Sequence, residues 1–175
     1  MRSSFFEPEN RWEGLEMVFA ASDLHGCSLK HFKRLLKRAH FGRNDELYVL
    51  GDVIDRHGDG GIEVLLWMME QPNVNLLLGN HEAMLLACDF LFCTIEEDTA
   101  DGITYDQMNS LAHWMQNGAE PTLASLRALH QKEPEKLYDL LDYLRDAPLY
   151  AALTAGGQDF ILTHAGLGGF SPDKK

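Results

Sequence analysis

The stretch Leu47–Gly60, "LYVLGDVIDRHGDG", decides how this chain is read. It begins as an apolar run of the kind found in a strand buried on both faces. The run stops at Gly51-Asp52, and Asp55-Arg56 follows closely. Burying carboxylates at the end of a core strand costs several kcal/mol unless a positive group meets them. The stretch therefore predicts a strand that carries acids to a place where something cationic is held.

Two further segments of the same kind flank it. "EMVFAASD" (Glu16 to Asp23) reads as a short buried strand, and "VNLLL" (Val74 to Leu78) as another. Between them lie two helical patterns. "SLKHFKRLLKRAH" has Ser28 as its N-cap and Leu29, Phe32, Leu35, Leu36 and Ala39 on one face. "GIEVLLWMMEQ" is the second, and "HEAMLLACDFLFC" after the third strand is a third. The alternation predicts an α/β fold with right-handed crossovers, in which ligands sit beyond the carboxyl ends of the strands. The basic side of the first helix (Lys30, Lys33, Arg34, Lys37, Arg38) is read as a solvated face.

Downstream, the acidic "TIEEDTADGITYDQ" (Thr94 to Gln107) is expected to be a surface loop. Helical patterns return in "MNSLAHWMQNG", "TLASLRALHQ" and "PEKLYDLLDYLRDA", which Pro148 closes. "LYAALTAGGQDFILTH" alternates about Gly156-Gly157, a hairpin signature that delivers His164 to a strand end. With no repeat or linker, the 175 residues suit a single domain.

Bulk properties exclude some functions. A net charge of −12 and a pI near 5.0 argue against nucleic acid as a partner. No apolar run approaches the ~18 residues that span a bilayer, so no membrane partner is expected. Cys27, Cys88 and Cys93 form no C-x-x-C pair and no secretory signal opens the chain, which points to a reducing cytoplasm. Oligomeric state is not legible.

The polar groups at the strand ends are Asp23, His25, Asp52, Asp55, Arg56, Asn80, His81 and His164. Carboxylates and imidazoles with one amide oxygen suit Mn²⁺, Fe or Zn²⁺ better than Ca²⁺. Asp23 and His25 lie two apart, so both can grip one ion from an extended segment. Asp52 could bridge two ions, with Asn80 and His164 completing the second. Two cations ~3.5–4 Å apart would clamp a phosphoryl group and generate a hydroxide nucleophile. Arg56 is a donor fork for phosphate oxygens, and His81, held by Asp55, could protonate the leaving oxygen. Each element alone has a bland reading as a turn, cap or local ion pair; the case rests on their joint occurrence at strand ends. His31, His40, His113 and His130 are read as structural or exposed.

With these residues in view, the chain resembles the calcineurin-like metallophosphoesterases, on the phosphoprotein phosphatase branch. The family's marks appear as "DLHG", "GDVIDRHG", "GNHE" and "THAGL". "HWMQNGAEPT" (His113 to Thr122) is similar to the tryptophan–asparagine–glycine segment of bacterial and phage-type serine/threonine phosphatases. The resemblance implies a two-sheet sandwich flanked by helices. It implies two divalent ions, Asp23, His25 and Asp52 holding the first, Asp52, Asn80 and His164 the second. Asp55 and His81 become the acid dyad; Arg56, with Asn80, binds substrate. The implied substrates are phosphorylated proteins or small phosphoesters. Dinucleoside polyphosphate hydrolysis is the alternative on the same scaffold, and Glu82 of "GNHE" favours the phosphatases, since the dinucleotide hydrolases usually carry aspartate there.

Three departures stand out. Ser22 and His57 replace family glycines, and the chain stops at Lys175, before the family's later arginine and metal-binding histidine. The expectation is thus the N-terminal part of a longer phosphatase, with an incomplete second sheet and reduced turnover. A non-catalytic phosphatase-like binding module is the competing reading.

Overall fold

The structure is a computed structural model describing residues 17–92 and 102–166. Three short strands, β1 (Val18–Ala21), β2 (Glu46–Val49) and β3 (Val74–Leu76), form a parallel sheet in the order β1-β2-β3. Val18 lies beside Glu46, and Leu47 beside Val74. β2 is central and buried along its whole length, as its apolar sequence requires. Its one charged residue, Glu46, accepts from Asn75 Nδ2 at 2.6 Å, so the buried carboxylate is paired.

The crossovers are α1 (Leu29–Arg38) and α2 (Ile62–Met69). Ser28 caps α1 by accepting from His31 N at 3.4 Å, as its sequence position predicts. Phe32 and Leu36 are buried, whereas Leu35 is exposed, so the apolar stripe is narrower than the sequence suggests. The basic side of α1 is solvent-exposed. There Lys33 Nζ sits 5.4 Å from the Trp67 ring centre. α2 is apolar nearly all round and sits against α1, β3 and the later helices.

α3 (Asn80–Leu86) is shorter than its sequence pattern, and a single 3₁₀ turn at Asp89–Leu91 replaces its expected continuation. The run to Cys93 holds no glycine or proline to mark where the helix ends. α4 (Tyr105–Gln116) begins inside the segment expected to be a loop, a correction with a readable cause. Thr104 accepts from Gln107 N at 3.2 Å and Gln107 accepts from Thr104 N at 2.9 Å, a capping box that the acidity of the stretch obscured. Residues 94–101 of that expected loop, and Cys93 before it, lie outside the described residues.

α5 (Glu120–Lys132) and α6 (Pro134–Asp146) pack on each other and close the core with Trp114, Leu126, Leu137, Leu140 and Leu144, all fully buried. β4 (Tyr150–Ala155) and β5 (Gln158–Thr163) make an antiparallel hairpin about Gly156-Gly157, as expected. The fold is α/β, with two small sheets and helices around them. The hairpin joins the parallel sheet through Leu78 N to Pro148 O at 2.9 Å and His164 Nδ1 to Leu50 O at 2.6 Å.

Candidate active site

All eight residues singled out in the sequence meet beyond the carboxyl ends of β1, β2 and β3. The loops after β1 and β2 run side by side, tied by His25 N to Asp52 O and Gly26 N to Val53 O, both 2.9 Å. The loops after β2 and β3 approach so closely that a Cβ on Gly51 would lie 2.4 Å from the Gly79 Cα. Gly51 also has φ +75°, so glycine is required there twice over.

Backbone strain concentrates at the same place. Asp23 (φ 56°), His25 (40°), Asp52 (54°), Asp55 (75°) and Arg56 (70°) are all left-handed, a conformation L-residues adopt at a cost. Among the described residues, His40 is the one other non-glycine residue of this kind. Strain of this sort persists only where surrounding contacts over-determine it. Glu82, fully buried, supplies part of that constraint: one oxygen accepts from Asp52 N (2.8 Å) and Gly79 N (3.0 Å), the other from Val53 N (2.8 Å) and Ile54 N (3.3 Å). Burial pushes its carboxyl above the ordinary glutamate range, while these donors pull it back.

The side chains fall into three groups. In the first, His25 Nε2 faces Asp23 Oδ1 at 3.8 Å and Asp52 Oδ2 at 3.7 Å. In the second, His164 Nε2 faces Asn80 Oδ1 at 3.0 Å and the other Asp52 oxygen, Oδ1, at 3.3 Å. Each imidazole has its Nδ1 on a main-chain carbonyl, Ile54 O at 3.1 Å for His25 and Leu50 O at 2.6 Å for His164. A carbonyl only accepts, so each Nδ1 carries a proton, which leaves Nε2 as the nitrogen that can offer a lone pair toward the two oxygens it faces. Acceptors converging on acceptors are the donor set of a cation, and the carbonyl partner of each ring is the usual outer support of a metal-binding histidine. Mixed oxygen and imidazole donors fit Mn²⁺, Fe or Zn²⁺. Asp23 is exposed and its carboxyl is held below the ordinary range, chiefly by the Ser22 hydroxyl hydrogen-bonded to it.

The third group is the dyad. His81 Nδ1 donates to Asp55 Oδ2 at 2.6 Å, and Arg56 Nη2 lies 3.3 Å from His81 Nε2. His25, Asp52 and His81 also offer three donor atoms within 4.8 Å of one another. The Arg56 guanidinium against His81 Nε2 argues against a cation there, so His81 belongs with the dyad. Asp55 has two further buried partners that sequence reading missed: Trp114 Nε1 donates to Oδ2 at 2.9 Å and Thr122 Oγ1 to Oδ1 at 2.6 Å. Their only sequence signal was the resemblance of "HWMQNGAEPT" to a phosphatase segment. His31, His40 and His113 are exposed, and His130 packs beside Phe92 and Tyr138, outside the cluster.

The model of the calcineurin-like phosphoesterase family matches residues 17–174. The symmetrical bis(5'-nucleosyl)-tetraphosphatase of Chromobacterium violaceum is 29% identical over 153 residues, covering 86% of this chain and 43% of that protein. The Delftia acidovorans protein of the same name is 29% identical over 152 residues (86% and 44%). That of Pseudomonas entomophila is 39% identical over 72 residues (40% and 25%). The chain thus spans less than half the length of these relatives. A solved protein serine/threonine phosphatase from Saccharomyces cerevisiae aligns at a TM-score of 0.35 with 15% identity, over 78% of this chain and 38% of that one.

Proposed function

The chain belongs to the calcineurin-like phosphoesterase family, and from that membership we propose that it is a metal-dependent hydrolase of phosphate monoesters acting on phosphoserine and phosphothreonine in proteins. The observation that carries the reading is Asp52. Its two oxygens face two separate sets of acceptors, each with an imidazole lone pair aimed inward. Asp23, His25 and Asp52 would hold one divalent cation, and Asp52, Asn80 and His164 the other, with manganese the first choice and iron or zinc the alternatives. Such cations supply Lewis acidity toward phosphoryl oxygens and toward water.

The chain's own residues do the rest. Arg56 is exposed at the rim and offers its guanidinium fork to the phosphoryl oxygens. The Asn80 Nδ2 group remains to donate to the same oxygens while Oδ1 faces His164. Once the Arg56 guanidinium turns from His81 Nε2 to the phosphoryl oxygens, that nitrogen is free to carry a proton to the leaving alkoxide, and Asp55 on Nδ1 fixes the ring and steadies its positive form. With His81 1% exposed and Asp55 0%, bulk water does not compete for that hydrogen bond.

Support for phosphoproteins over dinucleotides comes from the segment similar to bacterial and phage-type phosphatases, which is physically built into the site. Trp114 donates to Asp55, and Gly118 O accepts from Arg56 N at 2.8 Å. The second reading, hydrolysis of dinucleoside polyphosphates, is favoured by the names of the curated relatives. Purified protein with added Mn²⁺ should release phosphate from p-nitrophenyl phosphate and from a phosphoserine peptide. Faster release of nucleoside diphosphate from diadenosine tetraphosphate would select the second reading instead. Retention of metal with no turnover of any of these substrates would select a binding module. His81→Asn should lower kcat by about 10²–10⁴-fold with metal content unchanged; turnover equal to the parent's would remove His81 as the acid.

A further inference from the structure

Asp55 is fully buried at φ +75°, and what holds it comes from far along the chain. Trp114 on α4 donates to Oδ2 (2.9 Å), beside the His81 bond. Thr122 on α5 acts at both ends of the residue: its hydroxyl donates to Oδ1 (2.6 Å) and accepts from the Asp55 main-chain N–H (3.0 Å). The next residue, Arg56, donates its own N–H to Gly118 O, in the turn joining those helices. Trp114 and Thr122 are both 0% exposed, and each reaches the site through its hydrogen bond to Asp55.

From this arrangement we propose that Trp114 and Thr122 are positioning residues for proton delivery by His81. The inference rests on the phosphoesterase reading above. A carboxylate pivots about its side-chain bonds, and the direction of its oxygen decides where the imidazole points. Two donors placed on different oxygens stop that pivot, and hydrogen bonds to an ionised acceptor are the strong kind. Thr122 adds a constraint that a packing residue would not supply, because one hydroxyl couples the Asp55 side chain to its left-handed backbone. The α4–α5 pair is thereby the backing on which the acid is set, and orientation of a proton donor contributes to rate through geometry alone.

A purely structural role and a positioning role differ in one measurable way. Help from a general acid matters most when the departing group is strongly basic. The parent, Trp114→Phe, Thr122→Val and Thr122→Ser are compared on phenyl phosphate, a poor leaving group, and p-nitrophenyl phosphate, a good one. Trp114→Phe and Thr122→Val should lose about 10–100-fold more kcat on phenyl phosphate than on p-nitrophenyl phosphate. KM and bound metal should stay at parental values, and Thr122→Ser, which keeps the hydroxyl, should restore most of the loss. Equal losses on both esters, or none, overturn the proposal while leaving the phosphoesterase reading intact. A parent with no metal-dependent turnover of either ester overturns both. If Trp114→Phe does not fold, the two Thr122 variants decide alone. The His81 Nδ1 proton resonance then serves as a second readout: identical shifts in parent and Thr122→Val would overturn the proposal.

Discussion

The two sheets support the site in different ways. β2 is buried throughout, and the loops after β1, β2 and β3 are fastened to one another and to Glu82. The β4–β5 hairpin shows Tyr150, Phe160 and Ile161 to solvent, with Leu153 its buried anchor. It contributes His164, tied through Leu50 O and Asn80. Seven of the eight site residues, Asp23, His25, Asp52, Asp55, Arg56, Asn80 and His81, therefore share the rigid foundation, whereas His164 hangs from a thinly packed element. In physical terms, one half of the proposed metal centre is set wholly by the core, and the other takes one of its three side chains from the hairpin. Hairpins of two strands have little stability of their own.

That contrast can be broken most severely at Asp52, which serves both halves. Asp52→Asn should abolish metal-dependent hydrolysis and weaken both binding events seen by titration calorimetry. Survival of either event at full strength would show that the halves do not share it. Glu82→Gln tests the rigid side. An amide NH₂ facing main-chain N–H donors leaves some of them without an acceptor, so the variant should lose about 2–4 kcal/mol in urea unfolding. A loss below ~0.5 kcal/mol would mean the loops hold themselves.

His164→Ala probes the hairpin side more gently. It should remove one of the two metal-binding events, lower turnover and leave the unfolding midpoint within about 0.5 kcal/mol of the parent. Loss of both events, or a large loss of stability, would put the hairpin inside the rigid foundation. Tyr143 on α6 gives the smallest effect, away from both halves. Its hydroxyl is buried without a hydrogen-bond partner among the described residues, and burial pushes its pKa up to about 12. The folded state disfavours the phenolate, so stability is fully present below the unfolded value near 10 and is lost as pH rises from about 10 to 12. Tyr143→Phe should lack that alkaline decline and be more stable at pH 7 by about 0.5–1 kcal/mol. Superimposed pH–stability curves for parent and variant would contradict both points.

Much of this was legible in the chain. The strand ends and their acids and imidazoles are local patterns, because one residue's step along a strand or turn fixes where the next side chain goes. The acidic stretch before Met108 misled because composition was weighed over the Thr104–Gln107 capping pair, which is equally local. α3 ends early in a stretch that holds no glycine or proline to announce the stop. Trp114 and Thr122 could not be read as partners of Asp55, since 59 and 67 residues separate them and only tertiary packing brings them together. Spacing alone puts Leu35 in the core, yet it is exposed, and Phe32 and Leu36 mark the buried side of α1.

Glu82 carries a lesson about how protein subfamilies are told apart. Both of its oxygens are committed to main-chain donors of Gly79, Asp52, Val53 and Ile54, and no part of it reaches solvent. A shorter acid at that position would grip the turn differently without ever meeting the molecule being cleaved. Such a position can sort lineages by how they build a loop while staying silent about their chemistry's target.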